Sequence, residues 1–352
     1  MEIWHKSSDV PANIASVATV GVFDGVHRGH QAVLRATIEA ARRTGSTAVA
    51  LTFDPNPVRV HHPNSPFQEV ASLDVRLALM ARLGLDAVYV QHYTEDYARA
   101  RPQGFIRTQL LENLGARAIV LGSDSRFGAG NQGDVQLLKQ MADHEGFDAV
   151  IVDDLLSEDG QRWSSTWVRR DLSVGDVRSA SRTLGHFHRL TGRVHHGYQR
   201  GRALGFPTAN VVGDQMGEVP ADGVYAGWLQ RFSLGRIPDF PPGWDGAHYH
   251  PGVVELLVAD PLQTLPAAIS IGSNPQFGGV QRTVEAHVLG RSDLNLYGEF
   301  VALDLVDRIR PMEKFANVEE LLERMDQDLL DVSAVLGVPP ATRQDPHAVT
   351  AQ

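Results

Sequence analysis

No cysteine occurs anywhere in the 352 residues, which excludes disulfides, thiolate metal sites and cysteine nucleophiles. A basic surplus is missing too: 42 Asp and Glu outnumber 32 Lys and Arg, for a formal net charge of -10. Proteins that grip DNA, RNA or an anionic bilayer need the opposite balance, so neither nucleic acid nor membrane is an expected partner. No apolar run approaches the roughly 18 residues of a transmembrane helix. The start, Met1 to Lys6, has no signal-peptide core. The chain reads as cytoplasmic. Hydrophobic residues make up 43%, enough for two ordinary domains with separate cores.

The two halves differ in pattern. In the first, β-type runs alternate with helical stretches. Strands are expected at 16–23, 47–53, 87–93, 118–121 and 147–152, and helices at 31–43, 73–83, 103–114 and 135–144. Such alternation with near-continuous apolar strands predicts an α/β domain with a parallel, doubly wound sheet. Ligands on these sheets bind beyond the carboxyl ends of the strands. From about Gly192, Gly, Pro, Asn and Asp punctuate short strands at 224–229, 253–258, 267–271, 283–288 and 300–305. That pattern predicts a compact antiparallel β-barrel. An amphipathic helix over 318–336 follows, then a tail, 338–352, whose composition predicts disorder. Residues 173–184 read as a connecting helix and 231–251 as an insertion or long hairpin loop.

The strongest local feature runs from Gly21 to His30, GVFDGVHRGH, where the first strand gives way to the first helix. A helix N-terminus is an anion site, and Gly25 and Gly29 allow close backbone approach to a phosphate. His27 and His30, three apart, can face one pocket and stabilise charge on an α-phosphate under attack. The alternative is a capped turn with two surface histidines.

These residues resemble the His-x-Gly-His signature of the nucleotidylyltransferases. More narrowly, Phe23 to His30 is similar to the FMN adenylyltransferase domain of prokaryotic bifunctional FAD synthetases. The resemblance continues at Thr52–Pro57 (TFDPNP), Val120–Gly128 (VLGSDSRFG) and Trp163–Arg169 (WSSTWVR). It implies a Rossmann-like nucleotidylyltransferase fold, with Phe23, Asp24, Gly25, Gly29, Ser165, Thr166 and Arg169 on ATP and its phosphates. Asn56 and Asp124 are then flavin contacts. The chain departs from the family at Asn56, where His is usual, at Ser125 (an aromatic) and at Trp167 (Arg). A Gly-x-Gly-x-x-Gly run at Gly128–Gly133 sits too late in the domain for a dinucleotide fingerprint and reads as a loop.

The second block, Gly192 to Asn210 (GRVHHGYQRGRALGFPTAN), interleaves glycine and arginine. Gly-rich backbone with Arg suits a polyphosphate, and a basic surface turn is the competing reading. The block resembles the riboflavin kinase signature, in which Pro-Thr-Ala-Asn closes a Gly/Arg loop. That likeness implies phosphate contacts from Gly192, Gly197, Arg200, Gly201 and Arg202, and Mg²⁺ ligation by Thr208 and Asn210. It also implies a flavin contact from Arg310 and a catalytic Glu285 in Thr283–His287 (TVEAH). A carboxylate there can take the proton of a riboflavin 5′-hydroxyl. The alternative is an outward strand Glu paired with an Arg, with Val284 and Ala286 pointing inward. His186, His188, His195 and His196 read as solvated loop histidines rather than a metal cluster.

Together the resemblances imply two reactions, riboflavin to FMN with ATP and FMN to FAD with ATP, both Mg²⁺-assisted. The expected partners are riboflavin, FMN, FAD and ATP/ADP; oligomeric state is not legible. The expected domains are 1–184 (adenylyltransferase) and 185–337 (riboflavin kinase). The rival readings are a kinase with a silent first half and a non-catalytic flavin-binding module.

Overall fold

The structure is a computed structural model. It describes residues 1–154, 156–157, 160–195, 205–213, 216–232, 249–274, 281–291 and 293–343. The chain divides into two compact units. One comprises Met1–Glu69, Leu73–Ser164 and Gly243–His250; the other comprises Val70–Ser72, Ser165–Pro242 and Pro251–Gln352.

The first unit is built on a parallel sheet of six strands: β1 (Glu2–Trp4), β2 (Ser16–Val20), β3 (Thr47–Asp54), β4 (Ala87–His92), β5 (Ala116–Gly122) and β6 (Asp148–Val152). Their order is β1-β4-β3-β2-β5-β6, and every pairing is parallel. Val17, Ala18, Val49, Ala50, Val88 and Ile119 are all buried, as expected when helices cover both faces of a sheet. α1 (Arg28–Thr44) crosses from β2 to β3 and buries Leu34, Thr37, Ala40 and Ala41. It ends at Gly45, which takes the left-handed conformation (φ 64°) of a helix C-cap. From β2 the chain winds outward through β3 to β4, then returns to β5 on the other side of β2. The strand order reverses there, so a ligand crevice opens at the carboxyl ends of β2 and β5.

α2 (Pro57–His61) and α3 (Leu73–Leu83) follow β3, the latter with the bounds expected from sequence. α4 (Glu95–Ala98) and α5 (Pro102–Phe105) follow β4. The expected helix over 103–114 is α only to Phe105 and continues as π-helix over Ile106–Asn113. The widened turn points Ile106 and Leu110 into the core while polar neighbours stay out. α6 (Val135–Glu145) completes the unit.

The second unit opens with α7 (Ser165–Ser173) and α8 (Val177–Leu184). Sequence pattern groups this pair with the first half. Their Val168, Leu172, Val177, Ala180 and Leu184 pack in one core with barrel residues Leu190, Tyr225, Ile269 and Val284. Six antiparallel strands close the barrel in the order β10-β11-β8-β7-β12-β9. They are β7 (His188–His195), β8 (Ala209–Val212), β9 (Gly223–Arg231), β10 (Gln263–Asn274), β11 (Gln281–Val288) and β12 (Phe300–Pro311). α9 (Pro251–Val258) lies between β9 and β10. α10 (Val318–Leu336), capped by the Asn317 carboxamide on the Glu320 N–H (2.8 Å), packs Leu329 and Val332 against Phe206 and Ala226.

Two expectations are corrected. The run 253–258 is helix α9, not strand: Val253, Val254 and Leu257 are its buried residues, a helical spacing, and Pro251 favours a first turn. A short apolar run does not distinguish strand from buried helix by itself. In the expected disordered tail, Val338 and Ala341 pack on the α10 cluster and the Ala341 N–H donates to Ser333 Oγ at 3.2 Å. The remainder, 344–352, and residues 233–248 of the insertion lie outside the described residues.

Candidate active sites

In the first unit, the chain leaves β2 through a turn that few sequences tolerate. Phe23 (φ 51°) and Val26 (φ 43°) both take positive φ, with Gly25 (φ 76°) between them. A β-branched residue at positive φ is strained, so its surroundings must hold it. Three side chains do so. Val22 O accepts from Arg76 Nη1 at 2.6 Å and from Thr52 Oγ1 at 3.2 Å, and Val26 O accepts from Gln31 Nε2 at 2.9 Å. Phe23, Asp24, Gly25 and Val26 are all buried.

The turn delivers His27 to the N-cap of α1, where its Nδ1 accepts from the His30 N–H at 3.4 Å. That bond leaves the ring proton on Nε2. The His27 and His30 rings stack at 3.6 Å between centroids with 21° between planes, and Phe23 meets His30 edge-on at 5.4 Å. Burial, then the Arg162 charge, pulls His27 down to about 4. Burial, His27, Arg76 and Arg162, in that order, hold His30 well below the usual histidine range. Both rings are therefore neutral near pH 7, as two rings in stacking contact must be to avoid mutual repulsion. Gly29 packs closely on the pair: a Cβ there would lie 3.1 Å from His27 Cε1.

Asp124, in the loop after β5, forms an ion pair with Arg162, which also reaches Asp154 at 3.4 Å. Asn56 is buried, and its Oδ1 caps α2 by accepting from Val58 N at 3.0 Å. The sequence reading missed Arg76 and Arg162. Arg162 directly precedes the Trp163–Arg169 block, a usable signal, whereas Arg76 is one residue of an ordinary helical pattern. Ser165, Thr166 and Arg169 lie on α7 of the second unit, with Ser165 as its first residue. Trp167 is exposed beneath the Arg170 guanidinium (5.2 Å).

In the second unit, Ala209, Val211, Val284 and Ala286 point into the barrel. Strand alternation therefore turns Asn210 and Glu285 to the outer face. The two are directly paired across β8 and β11, and Thr208 Oγ1 donates to Glu285 Oε2 at 3.3 Å. Hydroxyl, carboxamide and carboxylate thus converge on one patch of the outer wall. Beneath it His287 Nδ1 donates to Pro207 O at 2.9 Å, fixing the segment that presents Thr208; burial pushes His287 down. Of the two sequence alternatives for Glu285, the outward orientation holds, but its partner is Thr208 rather than an Arg.

Other expected residues fall elsewhere. Gly192 sits inside β7 opposite Val301, where a Cβ would come within 2.6 Å of Val212 O; the glycine serves strand packing. Gly197, Arg200, Gly201 and Arg202 lie outside the described residues. Arg310 is buried and spends Nε and Nη2 on Asp328 (2.9 and 2.8 Å) and Nη1 on Pro311 O. His188 is corrected: it is no solvated loop residue but a buried one whose Nε2 donates to Glu218 O at 2.7 Å. Among the described residues, no group of three His, Asp or Glu is placed to hold a metal, and no helix is long and apolar enough to cross a membrane.

Comparison with known proteins matches each unit to a family. The FAD synthetase family matches residues 10–167, and the riboflavin kinase family matches residues 184–336. The bifunctional riboflavin kinase/FMN adenylyltransferase of Escherichia coli strain K12 is 31% identical over 334 residues, covering 95% of this chain and 96% of that one. The Listeria monocytogenes enzyme of the same name is 30% identical and covers 93% and 95%. A solved Streptococcus pneumoniae structure, described as a macrolide-efflux protein, superposes with a TM-score of 0.77 at 28% identity over 93% of this chain and 96% of that one. With a nucleotidylyltransferase-type turn in one unit and the Thr-Ala-Asn/Glu patch on the barrel of the other, the chain belongs to the family of bifunctional riboflavin kinases/FMN adenylyltransferases.

Proposed function

We propose that the barrel unit transfers the γ-phosphoryl of ATP to the 5′-hydroxyl of riboflavin, and that the first unit adenylylates the FMN so formed. The observation that carries this reading is the juxtaposition of Thr208, Asn210 and Glu285 on the barrel wall. Glu285 accepts the hydroxyl proton as the oxygen attacks the γ-phosphorus and ADP leaves. The Thr208 and Asn210 oxygens are hard donors of the kind Mg²⁺ prefers and would hold that ion. Bound there, Mg²⁺ would neutralise charge on the transferring phosphoryl group. Gly197, Arg200, Gly201 and Arg202 are assigned to the phosphate-binding loop, with Gly192 as its β7 anchor. Arg310 is assigned to the flavin side of the site as a flavin contact.

In the second reaction an FMN phosphate oxygen attacks the α-phosphorus of ATP and pyrophosphate leaves. His27 and His30, as neutral donors, bind the oxygens on which charge develops. The Phe23–Gly29 backbone cradles the phosphates, and Ser165, Thr166 and Arg169 hold the leaving pyrophosphate. Asn56 and Asp124 face the flavin. Residues 1–184 and 185–337 are the functional domains, and the enzyme works in the cytoplasm. A second reading, a kinase whose first half is silent, draws on Asn56, whose carboxamide oxygen is committed to capping α2.

The test is incubation with riboflavin, ATP and Mg²⁺ and chromatographic resolution of the flavins. FAD is expected; FMN alone supports the second reading, and no product overturns both. Glu285→Ala should abolish FMN formation and leave FMN-to-FAD conversion intact.

A further inference from the structure

Arg76 is fully buried, at 1% exposure, yet sparsely bonded. Nη1 donates to Val22 O at 2.6 Å, Nη2 stands 3.7 Å from Glu69, and Nε has no hydrogen-bond partner. A guanidinium withdrawn from water with so few bonds adds little to stability, and an apolar side chain of equal volume often replaces such a group at no loss. The stability of the first unit therefore gives no account of a cation at this place. What the cation touches does: the carbonyl just before the left-handed turn at Phe23, which delivers His27 and His30.

We infer that Arg76 is a positioning residue for adenylyl transfer, fixing the Val22–Val26 turn and with it the stacked His27/His30 pair. The inference rests on the adenylyltransferase reading of this site. Two supports are independent. Thr52 Oγ1 shares the Val22 carbonyl at 3.2 Å, so strand β3 and helix α3 grip the same atom from two sides. The Arg76 charge also disfavours a proton on His30, in concert with burial and the His27 and Arg162 charges. The charged and titratable groups that act on His30 are His27 from the cap of α1, Arg76 from α3 and Arg162 from the loop after β6; Glu69 stands 3.7 Å from Arg76. A neutral imidazole donates to a phosphate oxygen without surrendering a proton. A cation behind the pair keeps it so, and adds positive potential where a polyphosphate would sit.

The experiment uses the full chain with Arg76→Met, and Arg76→Gln where the Met variant fails to fold. A dispersed amide NMR spectrum reports that the first unit is folded, and riboflavin phosphorylation by the separate barrel unit should stay within about twofold of wild type, because the two chemistries use separate residues. The His30 ring, titrated by NMR without substrate, should take its proton about one pH unit higher or more once the neighbouring charge is gone. The acid limb of the FMN adenylylation profile should move with it, and kcat should fall about tenfold while KM for FMN changes far less. Thr52→Val, which loosens the same carbonyl without removing charge, should lower kcat and leave the His30 titration in place. A neutral variant with normal kinase activity, an unmoved His30 titration and an unmoved acid limb overturns the inference. Should the wild type make no FAD, the adenylyltransferase reading fails, and the titration alone still decides the role of Arg76.

Discussion

Thr208 and Glu285, seventy-seven residues apart in sequence, meet on the outer wall of the barrel, the hydroxyl donating to the carboxylate at 3.3 Å. The bond arises because Thr208 immediately precedes β8, and β8 pairs with β11 in the register that sets Asn210 opposite Glu285. Thr208→Val keeps shape and removes the hydroxyl. Riboflavin phosphorylation should fall by roughly 10²-fold or more, with a raised Mg²⁺ requirement, while adenylylation of added FMN is unchanged. Steady-state rates across a Mg²⁺ series check this; an unaltered kinase rate would remove Thr208 from the site.

Gly29→Ala introduces a methyl 3.1 Å from the His27 ring without requiring an unusual φ. The ring must tilt, opening the 3.6 Å stack with His30. FAD formation from FMN should drop by about tenfold or more, with riboflavin phosphorylation as the internal control. Equal losses in both reactions would indicate general damage instead.

Arg310 and Asp328 form a buried pair between β12 and α10, with both side chains under a tenth exposed. Asp328→Ala leaves a buried guanidinium unmatched and should cost about 3–5 kcal/mol, whereas replacing both members with Met and Leu should be close to neutral. Denaturant unfolding of both variants separates the outcomes. A double variant as unstable as the single one would contradict the pairing argument.

His188 carries a pH dependence. Burial drives it down to about 4 from 6.5, so the unfolded chain binds a proton at this site that the folded barrel refuses. Its contribution to stability is complete above pH 6.5 and is lost as pH falls through about 4. The loss is on the order of 3 kcal/mol. Unfolding followed by barrel tryptophan fluorescence should show this slope in the wild type and a flatter one in His188→Gln, where the Glu218 carbonyl keeps a donor.

Long periodic elements were legible: α3 and α10 have the bounds that the apolar spacing of 73–83 and 318–336 predicts. The turn at Phe23–His30 announced itself because glycine and histidine at a strand–helix junction leave few other uses. Other features depend on tertiary context that no local pattern carries. Val253–Leu257 is a helix that buries Val253, Val254 and Leu257, and Ile106–Asn113 is π-helical with Ile106 and Leu110 buried. The pairing of Arg310 with Asp328, eighteen residues on, is likewise set by the packing of helix on strand. Arg76 gave no signal at all, since its partner is a backbone carbonyl fifty-four residues away.

Ala209 and Val211 of β8 and Val284, Ala286 and Val288 of β11 pack in the barrel core, while Asn210 and Glu285, the residues proposed for the chemistry, lie between them. Interior and exterior of this barrel are consequently separable under selection. Volume-conserving changes inside can drift or be engineered for heat tolerance without touching the residues proposed for the chemistry. A single-residue insertion or deletion within β11 has the opposite effect, since it exchanges the two faces. Substitution and frame thus carry unequal risk along the same eight residues of strand.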